Sequence, residues 1–387
     1  MSLRTDKETP LQKAVWMPCL IMAACAVVMG IGYALCPETM QGGNVLTKAN
    51  RLGVLLVRCG GALYDNIGMV FACFAASAFL DDSKESLFLG LEGYLMVTAV
   101  LSPSVLQILV PAVYENEAVK ETFSFISGPP CGICAGLAAA LAVRLFKAKA
   151  GRDTPLWMHI LVSVPACMIA AALLGVLLPL LYIFTKNAAA SFFTETAGSA
   201  AVFAFVNRLL TPFGLNHAVN SVVLSDRAYI GDLTRYWANE TGQGVGMFMG
   251  GFFAPMMFGI PGALLAVYCR EGKRNGMKPV LIVLAMASFI CGASEPAEFL
   301  LLIFRPLLFV SVCVLYGVFA FLSARLGFRA GFAFSGGLTD LIFSSAMAGS
   351  RNTWMILPLG ALAFASFFAL FFFCPLNNRK EVCHETE

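Results

Sequence analysis

The sequence predicts an all-α, polytopic membrane protein. Composition is the first ground. Of 387 residues 59% are hydrophobic and 13% charged, with a mean hydropathy of +0.78, whereas soluble domains carry about 25% charged residues. The second ground is a series of apolar runs near the length a bilayer requires, separated by short polar loops. The third is that several runs are interrupted by charged groups, which a chain tolerates at membrane depth only where they face protein or a watery site. The net charge of +3 comes with no basic stripe, so nucleic acid is excluded as a partner. The 13 cysteines lie mostly inside apolar runs and read as small buried hydrophobes. Cys131-Gly132-Ile133-Cys134 has no partner pair, so neither a metal nor a cofactor is expected.

The elements follow in order. Residues 1–13 are polar and carry no cleavable signal pattern. Ala14–Leu35 is long enough to span, with Trp16 at its interface. A loop containing Pro37, Gly42, Gly43 and Lys48 follows. Leu52–Leu80 is interrupted by Arg58, Asp65 and Asn66, which predicts a half-helix, a polar elbow and a second helix, ended by Asp81, Asp82, Lys84 and Glu85. Leu87–Val113 is broken at Pro103, and Glu115–Glu121 is an acidic loop. In the span Ile126–Phe146, Gly128, Gly132 and Gly136 share one helix face, where another backbone can approach closely. That face would serve packing within one chain as well as between two. Arg144, Lys147, Lys149 and Arg152 form a basic loop before Leu156–Phe184, a long span with Pro165 and Pro179 as possible kinks.

The second half is less regular. The short apolar run Ala200–Val206 leads into Asn207–Asn220, which carries Asn207, Arg208, Thr211, Asn216, His217 and Asn220. Asp226–Thr241 is soluble in character. Gly242, Gly246 and Gly250 open the span Met247–Tyr268, and Arg270, Lys273, Arg274 and Lys278 form a second basic loop. Pro279–Cys291 leads to Gly292-Ala293-Ser294-Glu295-Pro296-Ala297-Glu298-Phe299, and Leu300–Leu322 reads as a span. Gly331–Ala348, rich in Gly and Ser and containing Asp340, reads as re-entrant, and Trp354–Cys374 as the last span before Arg379 and Lys380. The positive-inside rule places the loops near 147 and 273, and the end after 374, in the cytoplasm.

Glu295 is the centre of the site. An ionised side chain mid-bilayer costs about 2.5–3.5 kcal/mol on insertion scales, and Gly292 and Pro296 bracket it with residues that let the helix break. A carboxylate that merely tethers two helices is the alternative. Interrupted segments bearing Arg, His, Asn and Glu point to a substrate site near the midplane. Such a set offers neutral donors, acceptors and a bidentate fork together, which suits a small polar solute. The residues alone do not separate a sugar from an amino acid.

These stretches resemble, in order, the motifs of enzyme IIC, the membrane subunit of the bacterial phosphotransferase system, in its glucose/N-acetylglucosamine family. The Glu295 stretch resembles G-I/V-T-E-P-x-E-F, Asn207–Leu215 resembles N-R-L-L-I-P-x-G-L, and Gly231–Tyr236 resembles G-D-x-x-R-F/Y. Gly246–Phe253 and Met256–Ala263 are closer to the N-acetylglucosamine branch than to the glucose branch; Gly60–Asn66 and Arg329–Ser335 also fit. The resemblance runs from Trp16 to Cys374.

It implies about ten transmembrane helices, each of the roughly 20 residues a bilayer needs, with two re-entrant hairpins. It also implies a division of the chain: a cytoplasmic tail (1–13), a scaffold and dimerisation half (14–185), a sugar-transport half (186–374) and a second tail (375–387). The implied product is a homodimer in the bacterial inner membrane that moves N-acetylglucosamine or glucose while a phosphocysteine of a IIB domain, charged through IIA and HPr, phosphorylates it. Glu295 would be the catalytic base. Arg208, Asn207, Asn216, His217, Asp232, Arg235, Ser294 and Asn66 would line or support the sugar site. Glu298, one turn on, is expected to be a structural group at the helix terminus. Three departures stand out. Asn216 occupies the family's His position, with His217 beside it; an F-F-G-G-K-R stretch is missing before Leu156; and no IIB domain follows Cys374, so the phosphoryl donor is expected on a separate chain. A sugar facilitator, or a sensor, that has lost phosphorylation is the alternative.

Overall fold

In the computed structural model the described residues are 9–36, 51–80, 84–109, 128–151, 154–271 and 277–374. The expected loops at Pro37–Lys48 and Glu115–Glu121, and Asp81, Asp82, Arg152, Lys273, Arg274, Arg379 and Lys380, lie outside them. Among the described residues the chain is helical apart from one isolated bridge, and seven stretches are long and apolar enough to cross a membrane.

The first half is built by close helix contacts. Helix α1 (Pro10–Leu35) opens with a capping box in which Thr9 and Gln12 bond each other's backbone N–H. The predicted elbow is present: α2 (Arg51–Tyr64) stops at Asp65 and Asn66, and α3 (Ile67–Phe79) continues beyond them. Lys84 and Glu85 do not end that run but begin α4 (Lys84–Val100), where Glu85 sits favourably at the positive helix terminus. A turn at Leu101 and Ser102 precedes α5 (Pro103–Leu109), since Pro103 cannot donate back into α4. Helix α6 (Pro129–Ala150) packs on α3 with its glycine face: a Cβ on Gly132 would lie 1.9 Å from the Gly68 carbonyl oxygen, and one on Gly136 2.3 Å from that of Ala72. The small-residue face is therefore used within the chain.

Helix α7 (Leu156–Phe192) runs unbroken through Pro165 and Pro179, eight residues beyond the predicted end. Its 37 residues amount to ~55 Å, well over a hydrocarbon core of ~30 Å. A helix of that length crosses only with tilt or with its ends beyond the hydrocarbon, and Lys186 and Asn187 lie in its last two turns. One polar contact inside this half has no signal in the sequence pattern. Ser163 of α7 donates to Glu92 of α4 at 2.8 Å, and His159, one turn earlier, meets Thr154 at 2.8 Å.

The second half is made of broken elements. Helix α8 (Ala197–Leu210) is capped by Thr196, ends in a short turn (Thr211–Phe213), and reverses through Gly214 into α9 (Asn216–Asn220). After a loop holding α10 (Asp232–Trp237), α11 (Met247–Ala254) continues through a widened turn at Pro255–Gly259 into α12 (Ile260–Glu271). Helix α13 (Met277–Cys291) stops at Gly292, and α14 (Glu295–Phe304) turns back. The reversal is visible along α1: Cys291 bonds the Ala26 carbonyl, while Phe304 lies 6.4 Å from Trp16.

The expected span Leu300–Leu322 is thus two elements. Pro306 forces the residue before it out of helix geometry, and Arg305 is non-helical (φ −149°, ψ 76°) between α14 and α15 (Pro306–Arg325). The re-entrant reading of Gly331–Ala348 holds. Arg329 and Arg351 exchange backbone hydrogen bonds at 2.9 and 3.0 Å, so the segment between them, with α16 (Leu338–Ser344), leaves and returns at one place. Helix α17 (Ile356–Phe373) lies alongside α12, and Arg270 bonds the Phe372 carbonyl. The basic end of α12 and the end of α17 are on one side, as the charge rule requires.

Candidate functional site

Three chain reversals meet around Glu295. The first supplies Arg208 from the last turn of α8. The second is the Gly292-Ala293-Ser294 break, where Gly292 has φ +72° and a Cβ would sit 2.6 Å from the Gly336 amide nitrogen. Only glycine suits both demands. The third is the tip of the re-entrant segment. There Asp340 accepts from the N–H groups of Ala333, Phe334 and Ser335, and the Ser335 hydroxyl donates to the Gly292 carbonyl at 3.0 Å.

Glu295 and Glu298 occupy the first turn of α14, where the helix dipole favours negative charge, and Pro296 sits where a missing N–H does no harm. Nη1 of Arg208 is 3.3 Å from Ser294 Oγ, 3.4 Å from Glu295 Oε1 and 3.5 Å from Glu298 Oε2. The two carboxylates differ in access: the Glu295 side chain is 21% exposed and that of Glu298 1%. Beside the break, Phe334 stands between Tyr33 and Tyr64, with ring centroids 5.4 and 6.0 Å away. Ser294 is fully buried against Arg208, so the site presents a reachable carboxylate backed by a buried cation, beside aromatic faces.

Arg208, Ser294 and Glu295 are brought together. The other expected residues are placed differently. Asn207 turns to the far side of α8 and donates to Asn220 at 2.5 Å, stapling the α8–α9 reversal. Asn216 and His217 open α9, both half-buried. Asn66 is exposed at the elbow and bonds the Ala62 carbonyl. Asp232 is buried and caps α11, accepting from the N–H groups of Gly246 (2.5 Å), Phe248 (2.8 Å) and Met249 (3.4 Å). Burial pushes its carboxyl up to about 6 against the pull of those three donors. Arg235 pairs with Glu240 at 3.1 Å and with Glu195, tying the loop to the entry of α8. Asp232 and Arg235 thus organise the connecting loop. Asp232→Asn replaces one acceptor oxygen with a donor facing N–H groups. It should destabilise that loop by about 1–2 kcal/mol, seen as faster proteolysis within residues 226–246.

One partner of the site, Tyr316, has no signal in the sequence, and Glu298, expected as a structural group at the helix terminus, has partners the sequence does not show. Tyr316 sits inside an apolar run that reads as plain core. Glu298 was visible as a carboxylate, but its engagement with Arg208 and Tyr316 needs the reversal of α14 to be known.

The family described as Phosphotransferase system, EIIC matches residues 12–317. The chain belongs to that family. This EIIC chain is 31% identical over 374 residues to the PTS system N-acetylglucosamine-specific EIICBA component of Klebsiella pneumoniae, covering 93% of itself and 53% of that protein. It therefore spans about half the length of that relative. It is 27% identical over 419 residues to the N-acetylglucosamine-specific EIIC component of Streptomyces coelicolor, covering all of itself and 98% of that protein. In shape it aligns with the transporter ChbC, the IIC component from the N,N'-diacetylchitobiose-specific phosphotransferase system. That alignment covers 94% of this chain and 91% of the other, with 12% identity and a TM-score of 0.33, too distant to bear on the site.

Proposed function

We propose that this EIIC chain is a sugar permease subunit of the bacterial cytoplasmic membrane, carrying N-acetylglucosamine or a related hexose that a IIB domain phosphorylates. The observation that carries the reading is the Arg208–Ser294–Glu295 cluster at the meeting of three chain reversals. Reversals of this kind are where membrane carriers place polar substrates. The names of the relatives favour N-acetylglucosamine. In this reading the sugar hydroxyl oxygen attacks the phosphorus of a IIB phosphocysteine, the P–S bond breaks and the thiolate leaves. The hydroxyl proton passes to Glu295. Arg208, braced by Ser294, orients Glu295 toward the sugar, with Asn216 and His217 at the rim. The IIB is recharged through IIA and HPr, and two copies assemble through the first half. No cofactor enters the step.

The test is uptake of labelled N-acetylglucosamine and of labelled glucose in cells, followed by analysis of the internal label. Phosphorylated N-acetylglucosamine is expected. Unphosphorylated label that equilibrates with the medium would instead make the chain a facilitator.

Asn216 gives that second reading its foothold. Histidine can accept a proton near neutral pH, whereas asparagine only donates and accepts hydrogen bonds. If the family's His merely orients the sugar, Asn216 replaces it, and Asn216→His and His217→Ala should each change internal sugar phosphate less than about twofold, within ~0.4 kcal/mol of the barrier. A large gain in Asn216→His over a parent that accumulates only free sugar would favour the facilitator.

A further inference from the structure

The two carboxylates beside Arg208 are held very differently. Glu298 has both oxygens engaged: Tyr316 donates its hydroxyl to Oε1 at 2.8 Å, and Arg208 Nη1 faces Oε2 at 3.5 Å. Glu295 meets the same Nη1 through Oε1 at 3.4 Å while part of its side chain stays accessible. Two neighbouring rings, themselves 6.1 Å apart between centroids, also flank the guanidinium on one side. Its central carbon lies 5.1 Å from the ring centre of Phe252 and 5.4 Å from that of Tyr316, within cation–π range. Residues from α8, α11, α14 and α15 therefore lock one cation, and only Glu295 among its carboxylate partners can reach a ligand.

We infer that Glu298 and Tyr316 are positioning residues: they hold a permanent counter-charge on Arg208, which frees Glu295 to take up a proton. The inference rests on the proposed role of Glu295 as base. A cation buried without a partner costs several kcal/mol, and breaking a buried pair by removing one member is strongly destabilising. Were Glu295 the sole partner of Arg208, protonating it would strand the guanidinium. With Glu298 in place, Glu295 can accept the sugar's hydroxyl proton while Arg208 stays neutralised. The Tyr316 hydroxyl makes the assignment definite, because it supports the charge on Glu298 and has no such bond to Glu295.

The assay is phosphorylation of N-acetylglucosamine by membranes containing the full chain, with a purified, phosphorylated N-acetylglucosamine-specific IIB. It is read as kcat and KM for the sugar, beside equilibrium binding of labelled sugar. Glu298→Gln keeps the shape and a donor-acceptor pair but removes the charge. It is expected to lower kcat about 100-fold, the scale on which a positioned base contributes, with KM and sugar affinity within about threefold. Glu298→Asp should recover at least a tenth of the parent kcat, and Tyr316→Phe should fall between parent and Glu298→Gln.

A Glu298→Gln protein that turns over at the parent rate overturns the inference. So does one whose binding and rate fall together and which Asp does not rescue, since that is the behaviour of a structural prop. Glu295→Gln in the same assay separates the two levels. If Glu295→Gln is inactive while Glu298→Gln is normal, only the positioning role falls. If Glu295→Gln is itself normal, the base assignment falls, and the inference with it.

Discussion

Glu295→Gln is expected to bind sugar within about threefold of the parent and to lose at least about 100-fold in phosphorylation. The amide keeps an oxygen where Oε1 faces Arg208 at 3.4 Å, so the contact that shapes the site survives. Arg208 also retains Glu298, so the buried cation is not stranded and the fold should hold. What the amide cannot do is take up the proton released when the sugar hydroxyl becomes the nucleophile. Phosphoryl transfer passes through a loose transition state, in which protein groups act chiefly by positioning and charge. A base that accepts the proton late contributes on the scale of general-base catalysis, about 10²–10⁴-fold. The measurement is internal sugar phosphate against free sugar in cells carrying each variant, with binding measured on membranes. Phosphorylation at the parent rate in Glu295→Gln would remove the base assignment and leave Glu295 as a sugar ligand only.

The polar punctuation of the sequence carried much of this architecture. Asp65 and Asn66 mark an elbow because two polar residues in an apolar run are tolerated where the helix stops. Gly292 and Pro296 mark a break because one allows positive φ and the other cannot donate. Arg305-Pro306 carries the same kind of signal, but the continuously apolar residues on either side mask it. Composition cannot distinguish one helix from two that reverse. The site was legible where a charged residue had to find a partner at depth, as with Arg208 and Glu295. It was not legible where a polar residue finds its partner across the fold. Asp232 reads as a loop acid but is a remote cap for α11, since its acceptors are used on N–H groups 14 to 17 residues away. Asn207 and Arg208 are neighbours in the chain, yet they point about 100° apart around α8, and only one of them faces Glu295.

The first half offers the other large effect, Gly132→Leu. A Cβ at Gly132 would lie 1.9, 2.6 and 2.8 Å from the carbonyl oxygen, carbonyl carbon and Cα of Gly68. All three are backbone atoms, so no side chain can swing aside, and α3 and α6 would have to separate along their length. The two helices also meet at Gly136, where a Cβ would be 2.3 Å from the Ala72 carbonyl oxygen, so displacement at one point opens the other. Overpacking a close-packed interior costs about 1–3 kcal/mol where side chains can adjust. Here they cannot, and the cost should reach or exceed the top of that range, a large part of the roughly 5–15 kcal/mol that holds a domain together. Gly198→Ala is the control. A Cβ there meets nothing within 4 Å, and alanine should be neutral or stabilising by up to ~1 kcal/mol in a helix. Thermal unfolding in detergent should show Gly132→Leu lowered by many degrees or absent from the membrane, and Gly198→Ala at or above the parent. The oligomeric state decides what the glycine face is for. Packing within the chain predicts that folded protein itself is lost. A folded, parent-stable monomer of Gly132→Leu would mean that this face joins two copies.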